Sequence, residues 1–267
     1  MTSRELEFEL DTDTSVERVS DGHYRGTMTD RWTVAAGPNG GYVAAFALRA
    51  VLAVSEFPDP LSMSVHYLAR PAPGPADVLV DTLRVGRGHT SLSFRLVQDE
   101  VKAAGLVTLG RMRGPGEHDF APAAREFGST PDAAIPLGDR VMSSTLWERL
   151  EHRVSSPGDV FYQRDEPGEA VTGGWTRLRD GRPADALAIP VLCDCWPPAV
   201  FSRTMQPSPT GAPTLELTIH WRDRPGVGWH YARFETRLVA GGYMDEDGEV
   251  WSEDGRLVAQ SRQFARY

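Results

Sequence analysis

Two short stretches of the sequence repeat each other and decide the predicted fold. The first is Ser64-Val65-His66-Tyr67 with Arg70-Pro71, and the second is Thr218-Ile219-His220-Trp221 with Arg224-Pro225. The offset between them is constant at 154 positions, the difference between 220 and 66. Without gaps, the same offset sets the strand-like run 102–109 opposite 256–263. We predict an internal duplication with repeats of about 110 residues, the alternative being two unrelated hairpins that share similar turns.

Apolar spacing predicts one long helix and a series of strands. Positions 43, 46, 47, 50, 51 and 54 are apolar and share one helical face, directly after the Gly-rich turn 37–41. A second apolar segment, 186–201, occupies the corresponding place in the second repeat, and Asp254-Gly255 predicts a hairpin turn. Alternation and bounding Gly/Pro turns predict strands at 5–10, 24–28, 61–68, 77–85, 90–98, 102–112, 160–163, 171–178, 215–221, 231–239, 249–251 and 257–264.

The chain is predicted to divide into three parts. These are an N-terminal repeat at 1–113, a connector at 114–156 and a C-terminal repeat at 157–267. Residues 114–136 are rich in Pro, Gly, Ala and charge, which is typical of an exposed connector, and a short helix is predicted at 143–152. Each repeat would place a helix on one face of a curved antiparallel sheet, so the predicted class is α+β.

Composition and charge exclude several classes of function. The 267 residues carry 28 Lys plus Arg and 37 Asp plus Glu, a net charge of −9, which argues against wholesale binding to nucleic acid or anionic membranes. Cys193 and Cys195 are too close together to staple a fold, so free thiols and a reducing compartment are expected. The acidic N-terminus does not resemble a secretory signal, and the apolar stretch 41–54 is shorter than the ~20 residues of a membrane span. We expect a soluble, cytoplasmic protein.

Motifs for several kinds of catalysis do not occur in the sequence. There is no G-x-S-x-G elbow, no G-x-x-x-x-G-K-[ST] loop and no H-E-x-x-H helix, and Gly86-Arg87-Gly88 lacks the third glycine of a dinucleotide fingerprint. The seven histidines are scattered without metal-ligand spacing. We therefore expect no metal and no redox cofactor.

Three groups of residues, in order along the chain, resemble the acyl-CoA thioesterase II family. They are Gly37-Pro38-Asn39-Gly40-Gly41-Tyr42 at the first helix, His66-Tyr67-Leu68-Ala69-Arg70-Pro71 with Asp81-Thr82-Leu83-Arg84 in the first sheet, and the run from Asp254 to Gln263. The resemblance implies a double hotdog fold, in which two tandem repeats each wrap a curved antiparallel sheet on a long central helix. It also implies hydrolysis of acyl-CoA thioesters to free acid and coenzyme A, with the coenzyme entering only as part of the substrate.

The same resemblance implies a set of catalytic residues. Asp194 matches the family's carboxylate on the second central helix, and with a threonine and a glutamine it would orient the hydrolytic water. The offset of 154 also carries position 40 onto Asp194, whose neighbours are apolar; the alternative is an ordinary N-cap of a helix that Pro197 begins. Thr214 and Gln263 match the family best, with Thr218 and Gln260 as their rivals.

A helix N-terminus after Asn39 offers a way to polarise the thioester carbonyl. Backbone N–H groups at Gly40 and Gly41 could stabilise the developing oxyanion, since glycine allows close approach of the substrate. The alternative is that Asn39-Gly40-Gly41 only caps and starts the helix. The acyl chain would lie in an apolar tunnel between the central helices and the sheet.

Coenzyme A phosphates require a local basic patch on this acidic chain. Arg84, Arg87 and His89 are the main candidates, followed by Arg111 and Arg113, although solvated strand edges often carry such charges. The repeated His66 and His220 are more consistent with packing than with catalysis, because both halves retain them. Exposed sheet edges lead us to expect a homo-oligomer.

Three other functions compete with hydrolysis, one of them a structural partner subunit, whose thermal stability acyl-CoA should leave unchanged. The other two are binding without catalysis and a different reaction. The first is a non-catalytic acyl-CoA or lipid binder. The second is an enoyl-CoA hydratase, whose characteristic Asp with a His five residues later does not occur in this sequence.

Overall fold

A computed structural model describes residues 8–34, 37–114, 120–137, 144–156, 166–205 and 211–267. Its helices are α1 (Glu9–Asp13), α2 (Gly40–Leu52), α3 (Thr145–Glu148), α4 (Ala188–Leu192) and α5 (Val200–Thr204). Its strands are β1 (Val16–Ser20), β2 (His23–Met28), β3 (Thr33–Val34), β4 (Gly37–Pro38), β5 (Asp59–Tyr67), β6 (Gly74–Val85), β7 (His89–Val97), β8 (Val101–Gly110), β9 (Ile135–Pro136), β10 (Leu150–Val154), β11 (Val171–Leu178), β12 (Thr214–Trp221), β13 (His230–Glu235), β14 (Val239–Ala240), β15 (Tyr243–Ser252) and β16 (Leu257–Arg266).

A 14-stranded antiparallel sheet dominates the fold, and its strand order is symmetrical about one central pair. From the β5–β12 pair outward, the order is β5, β8, β7, β6, β2, β1 on one side and β12, β16, β15, β13, β11, β10 on the other, where the two-residue strand β9 follows β10 and the two-residue strand β14 pairs with β15. Ser64 lies opposite Thr218 across this pair, and their hydroxyls are 3.2 Å apart. These two residues are related by the offset of 154, so an approximate two-fold axis passes between them.

Helix α2 is the central helix of the N-terminal half, as the apolar spacing predicts. Asn39 caps its first turn by accepting a hydrogen bond from the Tyr42 N–H at 3.0 Å. The buried residues lie on all sides of the helix, because its contacts are with strands β6 and β7 and with helix α4. Burial from several directions explains why the helix contains so many small residues, among them four alanines.

The prediction of a long central helix in each half is wrong for the C-terminal half, which has two five-residue helices in this place. Helix α4 ends at Leu192 and α5 begins at Val200. Pro197 and Pro198 lie between them and interrupt the helix, since proline lacks an N–H and restricts the residue before it to extended backbone. The short segment between the helices carries Asp194.

The predicted strand at 5–10 is wrong where the structure describes it. Phe8 is extended, but Glu9–Asp13 forms a turn of helix in which the Thr14 N–H donates to the Leu10 carbonyl at 3.0 Å. Two acidic residues in the first turn favour the helix, and Leu10 is buried. Alternation over so few residues does not separate a strand from one amphipathic turn.

Several further elements differ from the sequence predictions in their bounds. The predicted helix at 143–152 is α3, only Thr145–Glu148, and Leu150 already begins β10. The predicted strand 231–239 is divided into β13 and β14. Residue 143 and the predicted strand 160–163 lie outside the described residues. The strand predicted at 249–251 is the end of the ten-residue strand β15, which begins six residues earlier, and the remaining predicted strands are present within about three residues of their expected bounds. No helix within the described ranges combines the length and apolarity that a bilayer crossing requires.

Candidate functional site

The carboxylate of Asp194 lies at the N-terminus of α2. Its Oδ2 accepts hydrogen bonds from the Gly41 N–H at 2.9 Å and from Asn39 Nδ2 at 2.8 Å. Asn39 Nδ2 also donates to the backbone carbonyl of Asp194 at 2.7 Å. The positive end of the helix dipole therefore faces a carboxylate supplied by the other half of the chain.

The second carboxylate oxygen of Asp194 begins a chain of polar side chains. Gln263 Nε2 donates to Oδ1 at 2.6 Å, and Gln263 Oε1 accepts from the Thr214 hydroxyl at 3.1 Å. An ionised carboxylate only accepts hydrogen bonds, so Gln263 must present its NH₂ group to Asp194 and its oxygen to Thr214. The available donors and acceptors therefore fix the direction of both hydrogen bonds, from Thr214 to Gln263 and from Gln263 to Asp194.

A β-bulge decides which threonine joins this chain. Thr214 pairs with Ala265 and Glu216 pairs with Phe264, which leaves Leu215 as an extra residue in β12. Without the bulge, Thr214 would share a face with Thr218, as strict alternation implies. With it, Thr214 turns to the inner face, whereas Thr218 remains outside and hydrogen-bonds Ser64.

The choice between the two glutamines follows from strand parity. Gln263 is buried on the inner face of β16 with Ser261 and Ala265. Gln260 accepts a hydrogen bond from Arg222 Nε at 2.9 Å in an exposed setting. The structure therefore brings Gln263, not Gln260, to Asp194.

The environment of Asp194 acts on its pKa in two directions. Burial raises the pKa of this carboxyl, and hydrogen bonds from Gly41, Gln263, Asn39 and Gly40 oppose the rise. A desolvated carboxylate with a raised pKa is a stronger proton acceptor than one in bulk water. Its donors favour the ionised form and orient the carboxylate.

Gly40 and Gly41 lie at the site, but their N–H groups serve Asp194. Gly41 donates to the carboxylate, and a second backbone hydrogen bond comes from Gly40. A Cβ at Gly40 would stand 3.0 Å from Asp194 Oδ2 and 3.1 Å from Tyr67 Oη. Gly40 therefore leaves room in front of the carboxylate, and the oxyanion role predicted for the two N–H groups would compete with their hydrogen bonds to Asp194.

Two residues near Asp194 were not among the sequence-based candidates. The Tyr67 hydroxyl donates to the Gly40 carbonyl at 2.8 Å, and burial together with the Asp194 charge raises the pKa of this phenol. Glu246 is buried on β15, directly opposite Gln263 on β16. The alternation Met244, Glu246, Gly248, Val250 contains the signal for Glu246, because it places an acidic residue among inward positions.

Glu246 gives a prediction for the pH dependence of stability. Burial raises the pKa of its carboxyl to about 8, from 4.5. Between these values the unfolded chain is ionised at Glu246 while the folded chain holds the proton, so the free energy of unfolding falls as pH rises, by up to ~1.4 kcal/mol per pH unit. Urea denaturation at pH 5 and pH 8 should show a smaller fall in Glu246→Gln than in the natural chain. An identical pH dependence of the two proteins would contradict this, and the comparison cancels the titration of every other group.

The residues predicted to bind coenzyme A lie far from Asp194. His89 pairs with Gly110, which in turn pairs with Asp59 at the start of β5. Tyr67, at the site, is at the other end of β5, about 25 Å away at a strand rise of about 3.3 Å per residue. Arg84 and Arg87 belong to the same β6–β7 hairpin region as His89 and are exposed. The structure does not bring this group together with Asp194.

The space around the central helices is tightly filled near Gly41, where an acyl tunnel was expected. A Cβ at Gly41 would stand 2.2 Å from the Pro190 carbonyl oxygen, so α2 and α4 are in backbone contact. A cavity of about 140 Å³ lies elsewhere, beside Trp32 and Leu178, with the Glu9–Arg149 ion pair in its wall. Trp32 connects it to the site, because its carbonyl accepts from the Asn39 N–H at 2.8 Å.

Within the described part of the chain, no three His, Cys, Asp or Glu side chains are grouped to hold a metal ion. Cys193 and Cys195, on either side of Asp194, are free and buried. Burial raises the pKa of the Cys193 thiol to about 12, so neither the position nor the ionisation of this residue suits a nucleophile.

Two family profiles cover most of the chain. Residues 28–110 match the acyl-CoA thioesterase N-terminal domain, and residues 121–267 match the acyl-CoA thioesterase C-terminal domain.

Known proteins resemble the chain over nearly its full length. A Thermobifida fusca structure described as a candidate thioesterase II is 27% identical, with a TM-score of 0.88 and coverage of 96% of this chain and 98% of that one. A hotdog-fold protein of unknown function from Alicyclobacillus acidocaldarius is 24% identical, with a TM-score of 0.86 and coverage of 96% and 97%. The thioesterase-like protein TwmA of Talaromyces wortmannii is 25% identical over 313 residues, covering 94% of this chain and 90% of TwmA.

Proposed function

Because this chain belongs to the acyl-CoA thioesterase family, we propose that it hydrolyses acyl-CoA thioesters to a free acid and coenzyme A. The observation that carries the proposal is the hydrogen-bonded series Thr214, Gln263, Asp194 at the N-terminus of α2. It links a proton acceptor, a neutral amide and a hydroxyl in one hydrogen-bonded series, and these are groups that can orient and activate a hydrolytic water.

In the proposed reaction, Asp194 accepts a proton from water while the water oxygen attacks the thioester carbonyl carbon. Gln263 and Thr214 hold the water and the carboxylate in place. The dipole of α2 favours the negative charge that develops on the carbonyl oxygen, while the Gly40 and Gly41 N–H groups stay hydrogen-bonded to Asp194. Collapse of the tetrahedral intermediate breaks the C–S bond, and the coenzyme A thiolate leaves and takes up the proton that Asp194 accepted, which restores the carboxylate. No serine nucleophile is required, since a thiolate is a good leaving group.

We further propose that the fold is a double hotdog with a single catalytic end. The symmetrical strand order supports two equivalent half-sheets. In the first half, Thr214 corresponds to Pro60, and Gln263, which pairs with Leu217, corresponds to Val107, which pairs with Met63. Neither Pro60 nor Val107 has a side-chain polar group. Both β5 and β12 have a register shift at the corresponding place, between Pro60 and Ser62 and between Thr214 and Glu216. The second half thus supplies the polar residues, and the first half supplies the capped helix.

The test is free-thiol release from short, medium and long acyl-CoAs, with Gln263→Leu compared with Gln260→Leu. We expect release by the natural chain and a loss of roughly 100-fold in kcat for Gln263→Leu, because Asp194 and Thr214 lose their common partner. Gln260→Leu is the matched control on the same strand and should retain the natural rate.

Two results would count against the proposal. Equal rates for the two leucine variants would remove Gln263 from the site. If no acyl-CoA releases thiol but acyl-CoA raises the melting temperature of the folded protein, the chain is a non-catalytic binder.

A further inference from the structure

Glu246 is a buried acidic residue that the proposed reaction does not use. It is 5% exposed and lies on the inner face of β15, in register with Gln263 on the neighbouring strand. Burying a carboxyl group is costly unless it is neutral or hydrogen-bonded. Its position next to the proposed catalytic glutamine therefore indicates a functional role.

The partner of Glu246 belongs to the segment that carries Asp194. Glu246 Oε2 accepts a hydrogen bond from the Ala199 N–H at 2.5 Å. Pro197 and Pro198 precede Ala199 and have no N–H, so Ala199 offers the first backbone donor after Trp196. One carboxyl group thus ties the end of the 194–199 segment to the sheet.

Asp194 is consequently held from both sides. Asn39 and Gly41 hold it on the side of α2, and Gln263 holds it on the side of β16. Glu246 fixes the same segment five residues further along, from the strand that pairs with β16. Met244, two residues before Glu246, packs on Val200 and Phe201 and reinforces this attachment.

The charge state of Glu246 suits this position. Burial raises the pKa of its carboxyl to about 8, and the charge of Asp194 acts in the same direction. At neutral pH the group is therefore uncharged, and it still accepts from Ala199 through a carboxyl oxygen. It adds no second negative charge beside Asp194.

We propose that Glu246 is a positioning residue for the hydrolytic site, which acts through the Ala199 N–H to place Asp194 against Gln263. This inference rests on the proposed thioesterase function. The proposed role requires a hydrogen-bond acceptor at the end of a side chain of this length. Glutamine should therefore fulfil the role of Glu246, whereas an apolar residue of similar size should not.

The experiment measures kcat and KM for acyl-CoA hydrolysis by the full chain carrying Glu246→Gln, Glu246→Leu or Glu249→Leu. We expect the glutamine variant to stay within about 3-fold of the natural kcat, because its amide oxygen accepts from Ala199. Glu246→Leu should lose about 10-fold or more in kcat with KM changed less than about 3-fold, since the binding surface is untouched. Glu249→Leu, on the outer face of the same strand, should have the natural kcat.

Ala199→Pro provides a second route, which breaks the same contact from the side of the donor. Ala199 has φ −59°, which proline can adopt, so the substitution removes the N–H donor without a change of φ, and the ring Cδ that replaces the hydrogen displaces the Glu246 carboxyl from this position. We expect the same fall in kcat as for Glu246→Leu, which also covers the case in which the leucine variant does not fold.

The outcomes separate this proposal from the one on which it depends. A natural chain that releases no thiol overturns the proposed function and this inference with it. A natural chain that does release thiol, together with an undiminished kcat in Ala199→Pro or in folded Glu246→Leu, overturns only the positioning role. Equal losses in the glutamine and leucine variants would also overturn it, because they would show that the acid itself is needed.

Discussion

Asp194→Asn is expected to remove hydrolysis of acyl-CoA while leaving the fold intact. An amide does not accept the proton that water must lose, so the general-base contribution, about 10²- to 10⁴-fold, should disappear from kcat. The measurement is thiol release at saturating substrate, for which a fall of at least about 100-fold is expected.

The asparagine variant can fold because the neighbouring groups are able to exchange roles. The new Oδ1 can accept from Gly41 and Asn39, as the carboxylate oxygen does. The new Nδ2 faces Gln263, whose amide can rotate to present its oxygen, and the Thr214 hydroxyl can then accept instead of donate. The loss of rate therefore reports on chemistry and not on unfolding.

Asp81→Asn is the matched control for this substitution. Asp81 is an exposed aspartate on β6 with a loose ion pair to Arg95 at 3.7 Å. It should keep the natural kcat and melting temperature, since exposed pairs of this kind contribute little. Turnover by Asp194→Asn at the natural rate would eliminate the mechanism, whatever the control shows.

Strands could be predicted where the sequence pattern that indicates them spans only neighbouring residues. The hairpins around β5 to β8 have alternating side chains and Pro/Gly turns, and the repeat at 154 positions relates β5 to β12. Asp194 could also be found, because an acidic residue in an apolar stretch is costly unless it has partners. Apart from the repeat, each of these signals lies within a few neighbouring residues.

Other features of the site depend on how the strands pair, which a local sequence pattern does not determine. The bulge at Leu215 reverses the parity of Thr214, so alternation alone could not separate Thr214 from Thr218. Arg84, Arg87 and His89 are basic and close in sequence, but the register of β5, β8 and β7 carries them to the far end of the sheet. Register is a property of the paired strands.

Gly41→Ala is expected to be strongly destabilising, although alanine is the better helix former. In an open helix the substitution would stabilise by about 1 kcal/mol. Here the added Cβ would stand 2.2 Å from the Pro190 carbonyl oxygen and 2.9 Å from the Val191 Cα. Both neighbours are backbone atoms of α4, so neither can rotate away, and the two helices must separate.

Overpacking of this kind typically costs about 1 to 3 kcal/mol, and a clash with backbone belongs at the upper end. After the gain in helix propensity, we expect a net loss of about 2 kcal/mol and a fall in Tm of roughly 4 to 8 °C, measured by thermal denaturation. Gly88→Ala is the control, because no atom lies within 4 Å of its Cβ position. An unchanged Tm in Gly41→Ala would mean that α2 and α4 are not in backbone contact. The geometry that places the Gly41 N–H on Asp194 would then be wrong as well, since the same contact sets both.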